Sequence, residues 1–174
     1  MSKQTNTRQM AVCAMLAALG VVLLWIGSVL EVAEVSMAVV ASLLCIIAVI
    51  EYGGSWPWLV FAVTSVLSLV LLPNKGTAVS YVLFFGYYPI IKEKLERHTR
   101  VRRWVEKELI FNVALAAILA VWRFVLFPTA SKMPLVMGLL LIVGFEAVFL
   151  LYDVALTRLI SQYLFRLRKR FRWK

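Results

Sequence analysis

Apolar residues in this chain come in six long runs separated by short polar or turn-forming stretches. A helix of about 20 predominantly apolar residues crosses the hydrocarbon core of a bilayer, and the runs are of that order. The first extends from about Gln9 to Leu30 and stops at an acidic loop with Glu31 and Glu34. The second covers about 35–50, after which Glu51 and the pair Gly53 and Gly54 turn the chain. Pro57 suits the first turn of a third helix, 57–72, which ends at the turn Pro73-Asn74-Lys75-Gly76. A shorter fourth run, 77–91, closes with FGYYPIIK, where Gly86 and Pro89 predict a break or kink and Tyr87 and Tyr88 predict interfacial anchors. The fifth, 109–127, stops at Pro128, which cannot continue a helical hydrogen-bond ladder. The sixth covers about 134–156 and predicts a helical extension into the tail. The expected fold is therefore all-α, an integral membrane six-helix bundle formed by one domain over 1–174.

Charge supplies an orientation. Sixteen of the nineteen Lys and Arg residues fall in three segments: Lys3 with Arg8, the stretch Lys92–Lys107, and the stretch Arg158–Lys174. By the positive-inside rule all three are cytoplasmic, as an even number of spans with both termini inside requires. The first run is too long for a signal peptide and no cleavage-type region follows it, so it is expected to be retained. Composition agrees with a multi-pass protein of the cell (plasma) membrane: 63% of residues are hydrophobic and mean hydropathy is +0.88, against roughly half apolar in soluble domains. A net charge of +10 beside membrane spans points to anionic lipid head groups rather than nucleic acid.

Six spans use nearly all of the 174 residues, leaving no room for a soluble catalytic domain. The chain has no HExxH, GxSxG or Walker A motif, so neither an enzyme nor a cofactor or metal site is expected. Cys13 and Cys45 lie inside the first two runs and read as small packing residues. His98 stands alone in the basic loop and reads as solvated surface. In that loop Glu93 and Arg97, and Glu96 and Arg100, are four residues apart, a spacing that supports a helix. An interfacial helix anchored by Leu95 and Trp104 is expected, serving as a topology determinant or as a docking surface. The tail after position 157 alternates Phe, Leu and Trp with Arg and Lys, and reads as a membrane-surface anchor.

Lipid gives helices no hydrophobic reason to associate, so small and polar residues within the spans carry information. Ala11, Ala14 and Ala18 fall in one stripe on the first helix, with Ala17 and Gly20 beside it. Such a face serves internal packing or docking against another subunit. Charges at membrane depth are costly and therefore functional candidates. Arg123 lies in the outer part of the fifth run and Glu146 near the middle of the sixth, with Asp153 seven residues further on the same side and Asn112 at a similar depth to Asp153. Arg123 with Trp122, Tyr81 and Glu146 would line an outer cavity for an anionic group, or Arg123 and Glu146 would form a structural pair. Asp153 is expected to pair with Arg158. Lys75, Lys132 and Arg123 are the three cations outside the basic segments, which makes them candidates for an anion arriving from outside.

A six-helix chain of this size, with both ends inside and the stripe AVCAMLAAL holding Ala14 and Ala18 in an AxxxA register, resembles the substrate-binding S component of energy-coupling factor transporters. The resemblance implies that the alanine stripe docks on a transmembrane coupling subunit served by two ATPase subunits. It also implies an outward-facing pocket for a vitamin or similar micronutrient as the small-molecule substrate. The outer loops, 31–34, 73–76 and 128–133, are short for lids over such a ligand. The competing expectation is a non-transporting scaffold subunit of a cell-envelope or cell-shape complex, similar to the small six-span subunit of the bacterial rod-shape complex.

Overall fold

The computed structural model describes residues 2–30, 33–96, 99–126 and 135–162. Among them the structure is all-helical. The chain divides into two compact units, Met1–Pro128 and Thr129–Lys174.

In the first unit, α1 (Ser2–Val29), α2 (Glu34–Glu51) and α3 (Trp56–Leu71) pack on one another. Glycine sets the closeness of α1 and α2. A Cβ added at Gly27 would stand 2.6 Å from Cβ of Met37, so the two backbones meet where no side chain intervenes. Further along α1, a Cβ at Gly20 would meet Thr64 Cγ2 at 3.2 Å, and the Thr64 hydroxyl donates to the Ala17 carbonyl at 3.5 Å. The turn after α2 follows its sequence signal: Gly53 and Gly54 adopt φ of +61° and +57°, and the Gly53 amide closes back on the Ala48 carbonyl at 3.1 Å. Pro57 occupies the first turn of α3, as its fixed φ favours.

The fourth run is not one regular helix. It consists of α4 (Lys75–Ser80), a π-helical turn (Tyr81–Phe85) and α5 (Tyr88–Leu95). The Gly86 amide reaches Tyr81 O at 2.7 Å, the five-residue bond that defines the π turn. A Cβ at Gly86 would lie 2.5 Å from the Phe61 ring, so glycine is what lets the irregular turn press against α3. This broken helix is central: α4 packs on α1, α2, α3 and the next helix. Then α6 (Arg100–Val121) runs directly into a second π turn, Trp122–Leu126.

Contacts within the first unit sort its ends. Cys13, Ala17, Cys45, Ala48 and Val60 share one buried apolar cluster with Tyr52 and Trp56 packed against it, so the middle of α1, the end of α2 and the start of α3 lie together. At the opposite end Asn74 joins three helices. Its amide donates to Ser28 Oγ at 2.9 Å, its side-chain nitrogen donates to Glu34, and its side-chain oxygen caps α4 by accepting from the Gly76 amide at 2.8 Å.

The expected interfacial helix in the basic loop takes another form. Residues 92–95 are the last turn of α5, and α6 begins at Arg100. Glu96 pairs with Lys92 and Lys107, both buried beside it. Arg97 and His98 lie outside the described residues.

In the second unit α7 (Leu135–Gln162) is a single helix. Phe149, Tyr152, Asp153 and Leu156 are buried among its described side chains, at the spacing of one helical face. Glu146 continues that face one turn earlier. The tail 163–174, expected to be a surface anchor, lies outside the described residues.

Among the described residues, two helices are long and apolar enough to cross a membrane: Thr7–Val29 of α1, and α2. α3 is apolar but has only 16 residues.

Candidate functional site

The three alanines singled out on α1 lie outside the bundle. Ala11, Ala14 and Ala18 are exposed, whereas Cys13, Ala17, Gly20, Val21 and Leu24 form the buried face of the helix. Small residues thus occupy both sides: Ala17 and Gly20 pack inward, and the AxxxA stripe faces outward. Large apolar side chains flank it, among them Met10 at 61% and Met15 at 71% exposure.

Of the proposed outer-half ligands, Tyr81 is enclosed. It is 1% exposed, its ring packs 6.4 Å from that of Phe61, and its hydroxyl lies 3.4 Å from the Cys45 sulfur. Lys75 is a helix cap. Its ammonium donates to the carbonyls of Leu69 and Leu72, both at 2.8 Å, and so satisfies the end of α3. Trp122 and Arg123 open the second π turn and are exposed. The indole of Trp122 approaches Gly76, where a Cβ would meet Nε1 and Cζ2 at 3.4 Å. The Lys75-Gly76 turn and the Trp122-Arg123 pair therefore come together at the Asn74 end of the first unit. Lys132 lies outside the described residues.

Glu146 is in the second unit, where its Oε2 is buried with no hydrogen-bond partner among the described residues. Asn112, which the sequence places at a similar depth to Asp153, is exposed and donates to its own helix at the Glu108 carbonyl, 3.0 Å away. A side chain that meets its needs locally has no reason to turn inward.

Sequence reasoning missed the charged knot at the α5–α6 junction. Lys92 is 1% exposed and Lys107 3%, and their ammonium groups lie 3.7 and 3.6 Å from the same Glu96 oxygen. Lys107 also sits 5.9 Å from the Trp104 ring centroid. The four-residue spacing of Lys92 and Glu96 was the available signal; the long-range partner was not. Near the start of α1, partial burial raises the Tyr52 phenol above its usual range, with Cys13 and then Glu51 adding to the shift and Arg8 opposing it. Among the described residues no group of three or more His, Cys, Asp or Glu side chains is placed to hold a metal ion.

Comparison with known protein families, with characterised proteins and with solved structures gives no match.

Proposed function

We propose that this chain is a multi-pass membrane protein that spans the cell membrane six times with both termini inside, and that it acts as the substrate-binding subunit of an energy-coupling-factor-type micronutrient transporter. Its partners in that reading are a transmembrane coupling subunit, ATPase subunits, anionic lipids and a small-molecule substrate. The observation that carries it is the outward stripe Ala11, Ala14 and Ala18, a smooth helix face not used by the protein's own core. The membrane reading has its own support. Large apolar side chains are exposed along α1, α3, α6 and α7, an arrangement that water would penalise and lipid tails accept. Phe61 packs both against the cluster of Cys13 and Ala17 and against Tyr87 at the start of α5, which supports a common side for the two basic segments that follow the positive-inside rule.

The outer site in this reading is built around Arg123 and Trp122 beside the Lys75-Gly76 turn. A guanidinium there offers a bidentate fork to a carboxylate or phosphate. The test is recovery of partners. Tagged protein retrieves a coupling subunit and ATPases from its native membrane, and Ala14→Trp with Ala18→Trp abolishes recovery while leaving the fold intact. Unchanged recovery would remove the docking reading. Mass spectrometry of co-purifying small molecules identifies the ligand.

A scaffold subunit of a cell-envelope or cell-shape complex is the second reading, and the enclosure of Tyr81 favours it. A side chain sealed against Cys45 and Phe61 contributes to a packed interior rather than to a ligand pocket. Under that reading Arg123→Ala impairs complex assembly and leaves uptake untouched.

A further inference from the structure

The interior of the first unit is lined with hydroxyls. Ser42 of α2, Thr64, Ser65 and Ser68 of α3, and Thr77 of α4 are all buried. They extend inward from the Asn74 junction: Ser68, Ser65 and Thr64 lie in the last two turns of α3, and Thr77 in the first turn of α4. Most find partners. Thr64 donates to Ala17 O, Ser68 to Ser65 O at 2.9 Å, and Ser42 to Val39 O at 2.6 Å. Two do not. Ser65 Oγ and Thr77 Oγ1, on residues 6% and 1% exposed, have no hydrogen-bond partner among the described residues.

A buried hydroxyl without a partner costs about 1–3 kcal/mol. Neither turns back onto its own helix as Thr157 does on Asp153 O at 2.9 Å. We propose that Ser65 and Thr77 hold ordered water inside the helix bundle, forming a hydrated seam along α3 and α4 beneath the Asn74 junction. Water is the occupant whose chemistry fits. It donates and accepts, as a lone hydroxyl needs, and buried water is ordinarily found completing polar groups of this kind. The side chains named here are neutral, so nothing calls for an ion. The seam does not depend on whether the protein transports a substrate.

Substitution gives opposite signs for a wet and a dry seam. With water present, Thr77→Val and Ser65→Ala each strand a water and lower the thermal unfolding midpoint in lipid nanodiscs, by about 2–4 °C for each kcal/mol lost. Thr77→Ser, which keeps the oxygen, lowers it less than Thr77→Val. With no water, removing an orphaned hydroxyl raises the midpoint or leaves it unchanged, and that result overturns the proposal. A second measurement is independent of stability. In water-edited solid-state NMR of the full chain in lipid vesicles, magnetisation from water reaches Ser65 and Thr77 faster than Leu24 and Ala38, both fully buried in the same unit. Equal build-up at all four positions also overturns it.

Discussion

The hydroxyl of Tyr81 lies 3.4 Å from the sulfur of Cys45, linking the π turn of the central broken helix to α2. Both residues are sealed from solvent, so the contact is made where no water competes. A thiol is a weak partner, and a typical hydrogen bond contributes only about 0.5–1.5 kcal/mol net. Tyr81→Phe is therefore expected to cost less than 1 kcal/mol. Tyr81→Ala, which also empties the ring's place against Phe61, is expected to cost about 3–5 kcal/mol. Thermal unfolding of the two variants side by side measures the difference; equal losses would mean that the hydrogen bond dominates the ring.

Gly27 fixes the approach of α1 to α2. A methyl at this position would overlap Cβ of Met37, an atom held by its own backbone and unable to rotate away. Gly27→Ala is expected to destabilise by about 1–3 kcal/mol through forced separation of the helices. Gly138, on α7, has open space around its added Cβ, and Gly138→Ala should be neutral or slightly stabilising, since alanine is the better helix former.

Lys75 separates capping from ligand binding. Lys75→Met removes a cation from the end of α3 and leaves the Leu69 and Leu72 carbonyls without their ammonium donor, with an expected loss of about 1 kcal/mol. Lys75→Arg retains donors and most of the stability. Should both variants lose ligand-dependent stabilisation while keeping their midpoint, Lys75 belongs to the anion site instead.

At the α5–α6 junction, Glu96 serves two buried ammonium groups and is itself 33% exposed. Glu96→Gln removes the charge and keeps the shape. Lost partners for buried charges are costly, but solvent at Glu96 screens the effect, so a destabilisation on the order of 1–3 kcal/mol is expected. The loss should shrink in Glu96→Gln combined with Lys107→Met, because one of the two buried cations that Glu96 pairs with has also gone. A strictly additive double variant would show that Lys107 does not depend on Glu96.

Much of this architecture can be read from local chemistry. Pro57, Gly53, Gly54 and Asn74 mark a helix start, a left-handed turn and a cap because backbone geometry demands those residue types wherever they fall. The π turn at Tyr81–Phe85 was hidden: Gly86 and Pro89 signal a break, but its form depends on the Phe61 ring, twenty-five residues earlier in the chain. The alanine stripe shows the same limit at the candidate site. Ala14, Ala17 and Ala18 are chemically identical, and only the placement of α2 and α3 decides that Ala17 is inside and the other two are outside. Lys75 looked available to a ligand because its reach back to the end of α3 is a three-dimensional fact.

The two-sided character of α1 makes the helix separable. One face is committed to α2 and α3 through Ala17, Gly20 and Gly27, while Ala11, Ala14 and Ala18 have no structural duty within the fold that the exposed positions reveal. Substitutions on the outer face leave the interior undisturbed, and those on the inner face do not. Tolerance to substitution thus changes along a single helix between neighbours one residue apart.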